Sequence, residues 1–379
     1  MQRREFLKNT GLGAVSVLGV TALAGCNSED RGSAKITENA EQNAVQNMES
    51  KKTASVKIRL AMTWPVTMPI LADTVRHYAR TVSELSNGGI EIEIFPAGKL
   101  VPALGVFDAV SSGQIDAYHS APYYWEGKNT AFNIFSGIPF GMVDIEQNAW
   151  YLYGEGMSLW REIAAKYNLY PLLGGATSIQ MAGWYKKEML SVQDFQGLRI
   201  RMVGIAGQVL SKLGAATKST PGSEIVPNLE RGVLDAAEWV SPAFDLKLDI
   251  HKVAPYYYTP WQEAGSITEF VFNKQKWESY PKEVQSILEI ASREAHLQMT
   301  AMGQFYNAKA LEDLKAQGAQ VRTFSAEILE AFKKTLTEVL DEESAKNPDF
   351  AKVLASYQGF QKEQKAWTND SLGAYLNIR

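Results

Sequence analysis

Cysteine is almost absent from this chain. Cys26 is the only one in 379 residues, so no intramolecular disulfide can form, and a Cys-ligated metal site or cysteine nucleophile elsewhere is excluded. Histidine is nearly as scarce: His77, His119, His251 and His296 are scattered, with no metal-ligand spacing among them. Beyond residue 25 there is no phosphate-binding loop, nucleophile elbow or Rossmann glycine pattern. Together these absences count against an enzyme. Neither charge dominates, because 38 Lys and Arg are interspersed with 42 Asp and Glu for a formal net charge of −4. That balance offers no broad electrostatic surface to nucleic acid or to an anionic membrane. Long apolar runs are also missing. The stretch Gly11 to Leu23 has 13 residues, short of the roughly 20 that span a bilayer as a helix.

That short run does have a charged lead-in. Arg3, Arg4 and Lys8 precede it, which is the order of a secretory signal. Arg3-Arg4-Glu5-Phe6-Leu7-Lys8 resembles the twin-arginine export motif. Leu23-Ala24-Gly25-Cys26 resembles a lipobox, in which small residues admit the peptidase and the thiol takes a diacylglycerol. The expectation is a signal peptide over 1–25, lipidation at Cys26, and a periplasmic protein tethered to the membrane. Residues 26–54 are rich in Asn, Gln, Glu, Ser and Lys, lack aromatics and show no sustained pattern, so they read as a flexible tether.

The remainder must fold on its core alone, and 45% apolar residues with 15 Phe, 16 Tyr and 9 Trp supply the material. Val56 to Ala61 alternates as a strand, Ile70 to Ser86 reads as a helix stopped by Asn87-Gly88-Gly89, and Ile90 to Phe95 alternates again. Val101 to Ser112 is helical in pattern and Gln114 to Tyr118 reads as a short strand. A second series of strands follows at Tyr170 to Leu173, Met181 to Tyr185, Leu198 to Met202 and Ala236 to Val240, with helices near Ala206 to Leu213 and Glu224 to Arg231. After a strand at Ile267 to Asn273, helical spacing runs from Pro281 to Gly318 and from Ser325 to about Ala366. This alternation predicts an α/β architecture with mainly parallel sheet. The length exceeds one ordinary core, which predicts two lobes with a cleft between them. The expected division is lobe I over 55–178, completed by about 265–300, lobe II over 179–264, and a helical C-terminal region over 301–379.

Three segments carry a family resemblance: Phe95-Pro96-Ala97-Gly98-Lys99-Leu100, Val192 to Arg201, and Gly232-Val233-Leu234-Asp235-Ala236-Ala237-Glu238-Trp239. In order and spacing they resemble DctP-type solute receptors of TRAP (tripartite ATP-independent periplasmic) transporters, from Val56 to the C-terminus. Pro122-Tyr123-Tyr124-Trp125, Gly174-Gly175 through Gln180 to Trp184, and Val253 to Tyr258 look like the branch that binds α-keto acids and related 2-oxo or 2-hydroxy carboxylates. The resemblance implies a two-lobed fold like that of periplasmic binding proteins, joined by crossing strands and a long helix and closing on its ligand by a hinge. It implies delivery of a small organic acid to small and large TRAP membrane subunits, and permits a homodimer. The alternatives are a receptor for another organic acid, such as a dicarboxylate or sugar acid, and a structural lipoprotein.

The candidate site residues follow from both readings. Arg199 and Arg201 lie two apart on a strand and so share a side, although only one need face a cleft. The resemblance selects Arg201, whose planar guanidinium can grip both oxygens of a carboxylate. Glu238 follows a strand in apolar surroundings, where a carboxylate needs a cationic partner. The resemblance implies that the Glu238 side chain, the Trp239 carbonyl and Gln180 bind a metal ion together with the ligand's carboxylate and keto oxygens. All are hard oxygen donors, which indicates Na⁺ or Ca²⁺ and not zinc or copper. Arg201, Glu238 and a monocarboxylate leave one uncompensated negative charge, so Na⁺ is favoured over Ca²⁺ as the ion giving a neutral closed site. Tyr124 and Trp125, in a Pro-led loop after a strand, and the Trp239 ring are expected to orient the acid and shape its pocket. The chain departs from the branch in two places. Trp125-Glu126 stands where a third tyrosine and a tryptophan are expected, and the loop Thr259 to Glu263 is one residue shorter. Both lie near the pocket for the ligand's tail and bear on its identity.

Overall fold

The alternating segment at Val56 builds the first strand of a computed structural model that describes residues 55–379. The leader, the tether and Cys26 lie outside the described residues. In chain order come β1 (Val56–Met62), α1 (Leu71–Leu85), β2 (Ile90–Phe95), β3 (Ala117–Ser120), β4 (Leu169–Ala176), β5 (Gly183–Tyr185), β6 (Arg199–Arg201) and α2 (Gly204–Lys212). They are followed by β7 (Ala216–Lys218), β8 (Ala236–Ala237), β9 (Tyr256–Tyr258), β10 (Ile267–Asn273), α3 (Lys282–Ala316), β11 (Gln320–Arg322), α4 (Ala326–Lys346) and α5 (Pro348–Thr368), with further helices and helical turns between, among them Asp144–Leu152 and Gly156–Ala165. No helix among the described residues is long and apolar enough to cross a membrane.

The strands form two sheets, ordered β2-β1-β3-β10-β4 and β11-β9-β5-β8-β6-β7. In each sheet all strands but one run the same way. The exception is β10 in the first, antiparallel to β3 and β4, and β5 in the second, antiparallel to β8 and β9. These are the strands that enter directly from the other sheet. The β4–β5 and β9–β10 connections are single extended crossings with no helix to turn the chain, whereas a parallel neighbour requires a long crossover.

The two crossings lie side by side. Thr177 N–H donates to the Ser266 carbonyl at 3.0 Å, Gln180 N–H to Glu263 at 3.1 Å, and Ala182 N–H to Tyr258 at 2.9 Å. The 35-residue helix α3 runs along both lobes. Leu288 is buried in a core with β1 and β10, Gly303 sits against Thr177 and Ser178 of the first crossing, and Asn307 accepts from Ala243 N–H at 2.9 Å.

Sidedness explains the elements. In α1 the residues Leu71, Val75, Tyr78 and Val82 recur at helical spacing and are buried, with the Tyr78 ring stacked on Phe270 of β10 at 3.9 Å. Asn347 caps α5 by accepting from Asp349 N–H, and Pro348 occupies the first helical position. Three details differ from the sequence expectation. β8 stops at Ala237 instead of running to Val240. β3 starts at Ala117, because Asp116 is held at the strand's entry by Arg59 N–H at 2.7 Å. The tail is also not wholly helical: Gln320–Arg322 pairs with β9 as an edge strand, too short for periodicity to reveal.

Candidate functional site

Strands β6 and β8 are parallel neighbours, and the site begins where both end. Arg201 is the last residue of β6, Glu238 follows β8, and Glu238 N–H donates to the Arg201 carbonyl at 3.0 Å. In α/β sheets the C-terminal strand ends are where ligands gather. Gly183 of β5 makes this junction possible. Its φ is +98°, and a Cβ there would meet the Ala237 carbonyl at 2.7 Å and the Glu238 Cα at 2.8 Å.

The two arginines of β6 separate cleanly. Arg199 is half exposed and clamps Asp235 through Nε at 2.7 Å and Nη2 at 2.6 Å, which holds the Asp235 carboxyl below its usual range. Arg201 is fully buried. One Nη donates to both the carbonyl and the carboxylate of Glu238, each at 2.6 Å, while the other reaches the Tyr124 hydroxyl at 3.4 Å. Its guanidinium lies 5.1 Å from the Trp239 ring centre, in cation–π range. Gly222 lets that ring in, since a Cβ there would fall 2.5 Å from it.

The cluster is closed and incompletely satisfied. Arg201, Gln180, Glu238 and Trp239 are exposed by 0%, 1%, 2% and 4%. Yet Arg201 Nε, Glu238 Oε1 and Trp239 Nε1 are buried with no hydrogen-bond partner. Buried polar atoms are normally paired, so three orphans around one guanidinium mark a place built for something else. Burial pushes the Glu238 carboxyl well above its usual range, against the pull of Arg201, with Glu263 and Asp245 adding repulsion.

Gln180 lies on the first crossing, where its Nε2 donates to Thr177 Oγ1 at 2.9 Å. Tyr124 stands in the turn Pro122–Trp125, with its ring edge-on to Tyr123 at 4.9 Å. Trp125 does not join the cluster. Its Nε1 donates to Glu269 at 2.6 Å, and its ring packs against Phe107 and Tyr118 in the lobe core. Its polar tip is spent on a buried acid that needs a donor, so in this structure its contacts are those of the core.

Sequence reasoning missed two acids. Asp245 accepts from Val240 N–H at 3.1 Å, Trp184 Nε1 at 2.9 Å and Tyr257 hydroxyl at 2.7 Å, and so pins the loop that carries Glu238 and Trp239. Glu263, on the second crossing, is 6% exposed with Oε2 unpaired, and burial pushes its carboxyl up to about 8. Only the pairing of the two crossings reveals it.

These residues suit a hard cation. No group of three or more His, Cys, Asp or Glu able to hold a metal occurs among the described residues, but the buried Glu238 carboxylate with its unpaired oxygen and the buried Gln180 amide are oxygen donors of the kind Na⁺ and Ca²⁺ accept. A separate pocket of about 370 Å³ opens alongside, floored by Met202 and Gly204 and walled by Glu126, Glu342 and Lys346. It lacks Arg201 and Glu238.

Residues 60–347 match the bacterial extracellular solute-binding proteins, family 7 (DctP). The chain is 36% identical over 381 residues to the monocarboxylate 2-oxoacid-binding periplasmic protein of Nostoc sp., covering all of this chain and 99% of that one. Two crystal structures of TRAP periplasmic solute-binding proteins superpose with a TM-score of 0.84. The one from Pseudoalteromonas atlantica, with bound sodium and pyruvate, is 40% identical and covered over 99% of its length. The one from Colwellia psychrerythraea, with bound calcium and pyruvate, is 41% identical and covered over 100%. Each comparison spans 86% of this chain. The chain therefore belongs to the DctP family of TRAP transporter solute-binding proteins, which are periplasmic and not enzymes.

Proposed function

We propose that this protein binds a small 2-oxo or 2-hydroxy monocarboxylate together with a hard cation and hands it to TRAP membrane subunits. The observation that carries the reading is the buried Arg201, with an unpaired Nε, beside the unpaired Glu238 Oε1. The guanidinium would grip the ligand carboxylate. Glu238, Gln180 and the Trp239 carbonyl would hold the cation, Na⁺ or Ca²⁺. When bound, that ion supplies positive charge to the carboxylate and keto oxygens of the ligand.

Charge favours a monocarboxylate over a dicarboxylate. Arg201 is the only arginine or lysine buried among the described residues, and a second buried carboxylate would need a second cationic partner. The Tyr124 hydroxyl beside Arg201 is suited to orient the bound acid. Twin-arginine export and a lipid on Cys26 complete the proposal on sequence grounds, and would keep the receptor at the membrane face where its transporter lies.

A thermal-shift screen tests this reading. Pyruvate, longer 2-oxo acids, lactate and dicarboxylates are each added with Na⁺, Ca²⁺ or a chelator. A 2-oxo or 2-hydroxy monocarboxylate should raise the melting temperature with the logarithm of its excess, by about 2.7 kcal/mol of stability at a hundredfold Kd. Arg201→Met should abolish the effect. Stabilisation by dicarboxylates alone would overturn the proposal.

A further inference from the structure

We propose that the break between α4 and α5 is a strap across the two lobes, and that its grip on lobe I through Asn347 sets how readily the lobes part. The inference goes beyond the binding reading above and rests on it for one readout only, the release of ligand.

The two helices are anchored on different lobes. In α4 the Phe332 ring stacks on Trp261 at 4.1 Å and meets Phe195 edge-on at 5.3 Å, and Glu342 pairs with Lys212 of α2, all three partners belonging to lobe II. In α5 the Tyr357 hydroxyl accepts from Met142 N–H at 2.7 Å, its ring meets Trp150 edge-on at 5.3 Å, and Lys352 pairs with Glu162 at 2.7 Å, which are partners in lobe I. Asn347 alone separates the helices, in extended backbone with φ −131° and ψ 106°. The chain thus joins the lobes here as well as at the two crossings and along α3. One extended residue reaches only about 3.5 Å, so the lobes can turn about Asn347 but cannot draw apart there.

Side chains hold the junction at one angle. Asn347 Nδ2 donates to Asn129 Oδ1 at 2.7 Å and to Thr130 Oγ1 at 3.0 Å, while Asn129 Nδ2 donates to Asp349 at 2.8 Å. In the same loop Glu126 accepts from Asn133 Nδ2 at 3.3 Å and faces Gln208 of α2. Gly204, at φ +62°, lets lobe II approach this closely, since a Cβ there would lie 3.3 Å from Asn133 Oδ1. The 370 Å³ pocket fills the remaining gap, with Glu126 on lobe I, Met202 and Gln208 on lobe II and Lys346 on the strap. Turning the lobes about Asn347 moves its amide off Asn129 and Thr130, so those hydrogen bonds favour the closed arrangement.

Two variants test the strap. Asn347→Ser keeps an oxygen that caps α5 but removes the amide donor. Insertion of three glycines after Asn347 lengthens the link. The release of pyruvate, bound with Ca²⁺, is followed by stopped-flow displacement, and the radius of gyration without ligand by X-ray scattering. Both variants should release pyruvate about three- to tenfold faster than the parent, and the insertion should enlarge the ligand-free radius of gyration. Release at the parent's rate in both, or an unchanged radius in the insertion, overturns the strap and leaves the binding reading standing. A parent that takes up no pyruvate overturns the binding reading, and scattering alone then decides the strap.

Discussion

One Nη of Arg201 donates to two oxygens of the same residue, the Glu238 carbonyl and its carboxylate, each at 2.6 Å. The bond to the carbonyl fixes the chain where β8 ends, and the bond to the carboxylate fixes the side chain. This pairing occupies one edge of the guanidinium and leaves Nε unpaired. A buried ion pair contributes little net stability. Its place at two strand ends, with orphaned atoms on both partners, is what the proposed ligand capture would require.

Removing one partner should expose the cost of burying the other. Arg201→Met is expected to lose about 3–5 kcal/mol of unfolding free energy in denaturant titration, since Glu238 is left without its cation. The double variant Arg201→Met, Glu238→Gln should recover much of that loss. A single variant as stable as the parent would mean that Glu238 finds another partner.

Trp125 supplies a test of whether it serves the core or the ligand. Trp125→Phe removes the 2.6 Å donor to Glu269 while keeping an aromatic ring in the core. It should cost about 1–3 kcal/mol of stability and leave affinity for the organic acid unchanged. Weakened binding without loss of stability would return Trp125 to the ligand pocket.

What the sequence made legible was local, and what it hid was paired across distance. The alternation at Val56 and the helical spacing from Leu71 to Val82 revealed the first β-α unit because each depends on near neighbours. Period 2 put Arg199 and Arg201 on one strand, and the family resemblance selected Arg201 between them. In the structure Arg199 is taken up by Asp235 at the exposed end of β6, whereas Arg201 is buried. Glu269, which claims the Trp125 indole, lies 144 residues further along the chain. Glu263 was concealed likewise, because a glutamate in a short loop looks solvated until the two crossings pair through Gln180 and Thr177.

Glu269 should also leave a mark on pH dependence. Burial pushes its carboxyl up to about 8 from an ordinary 4.5, so the folded state favours the protonated form. That contribution is complete below pH 4.5 and is lost as pH rises through 8, at about 1.4 kcal/mol per pH unit. Subtracting the profile of Glu269→Gln from the parent's should isolate this slope, with the variant the more stable at pH 8. A flat difference would show that Glu269 is ionised throughout.

His119 acts in the opposite sense. Its Nδ1 accepts from Trp64 Nε1 at 2.7 Å and its Nε2 lies 3.0 Å from the Gly174 carbonyl, so the neutral ring is held on both sides. Burial lowers its pKa from 6.5 to about 4, and stability is lost as pH falls through that interval. An NMR titration should find this imidazole neutral at pH 5.5. Protonation near 6.5 would contradict the buried arrangement.

The most direct measurement is calorimetric titration of pyruvate into the parent protein and Arg201→Lys, with Ca²⁺ or Na⁺ present. Lysine keeps the charge but lacks the planar fork that matches a carboxylate. The expected result is saturable, cation-dependent binding by the parent, weakened at least about tenfold in Arg201→Lys. Equal affinity in the two proteins, or binding by the parent that ignores chelator, would contradict the account of the site.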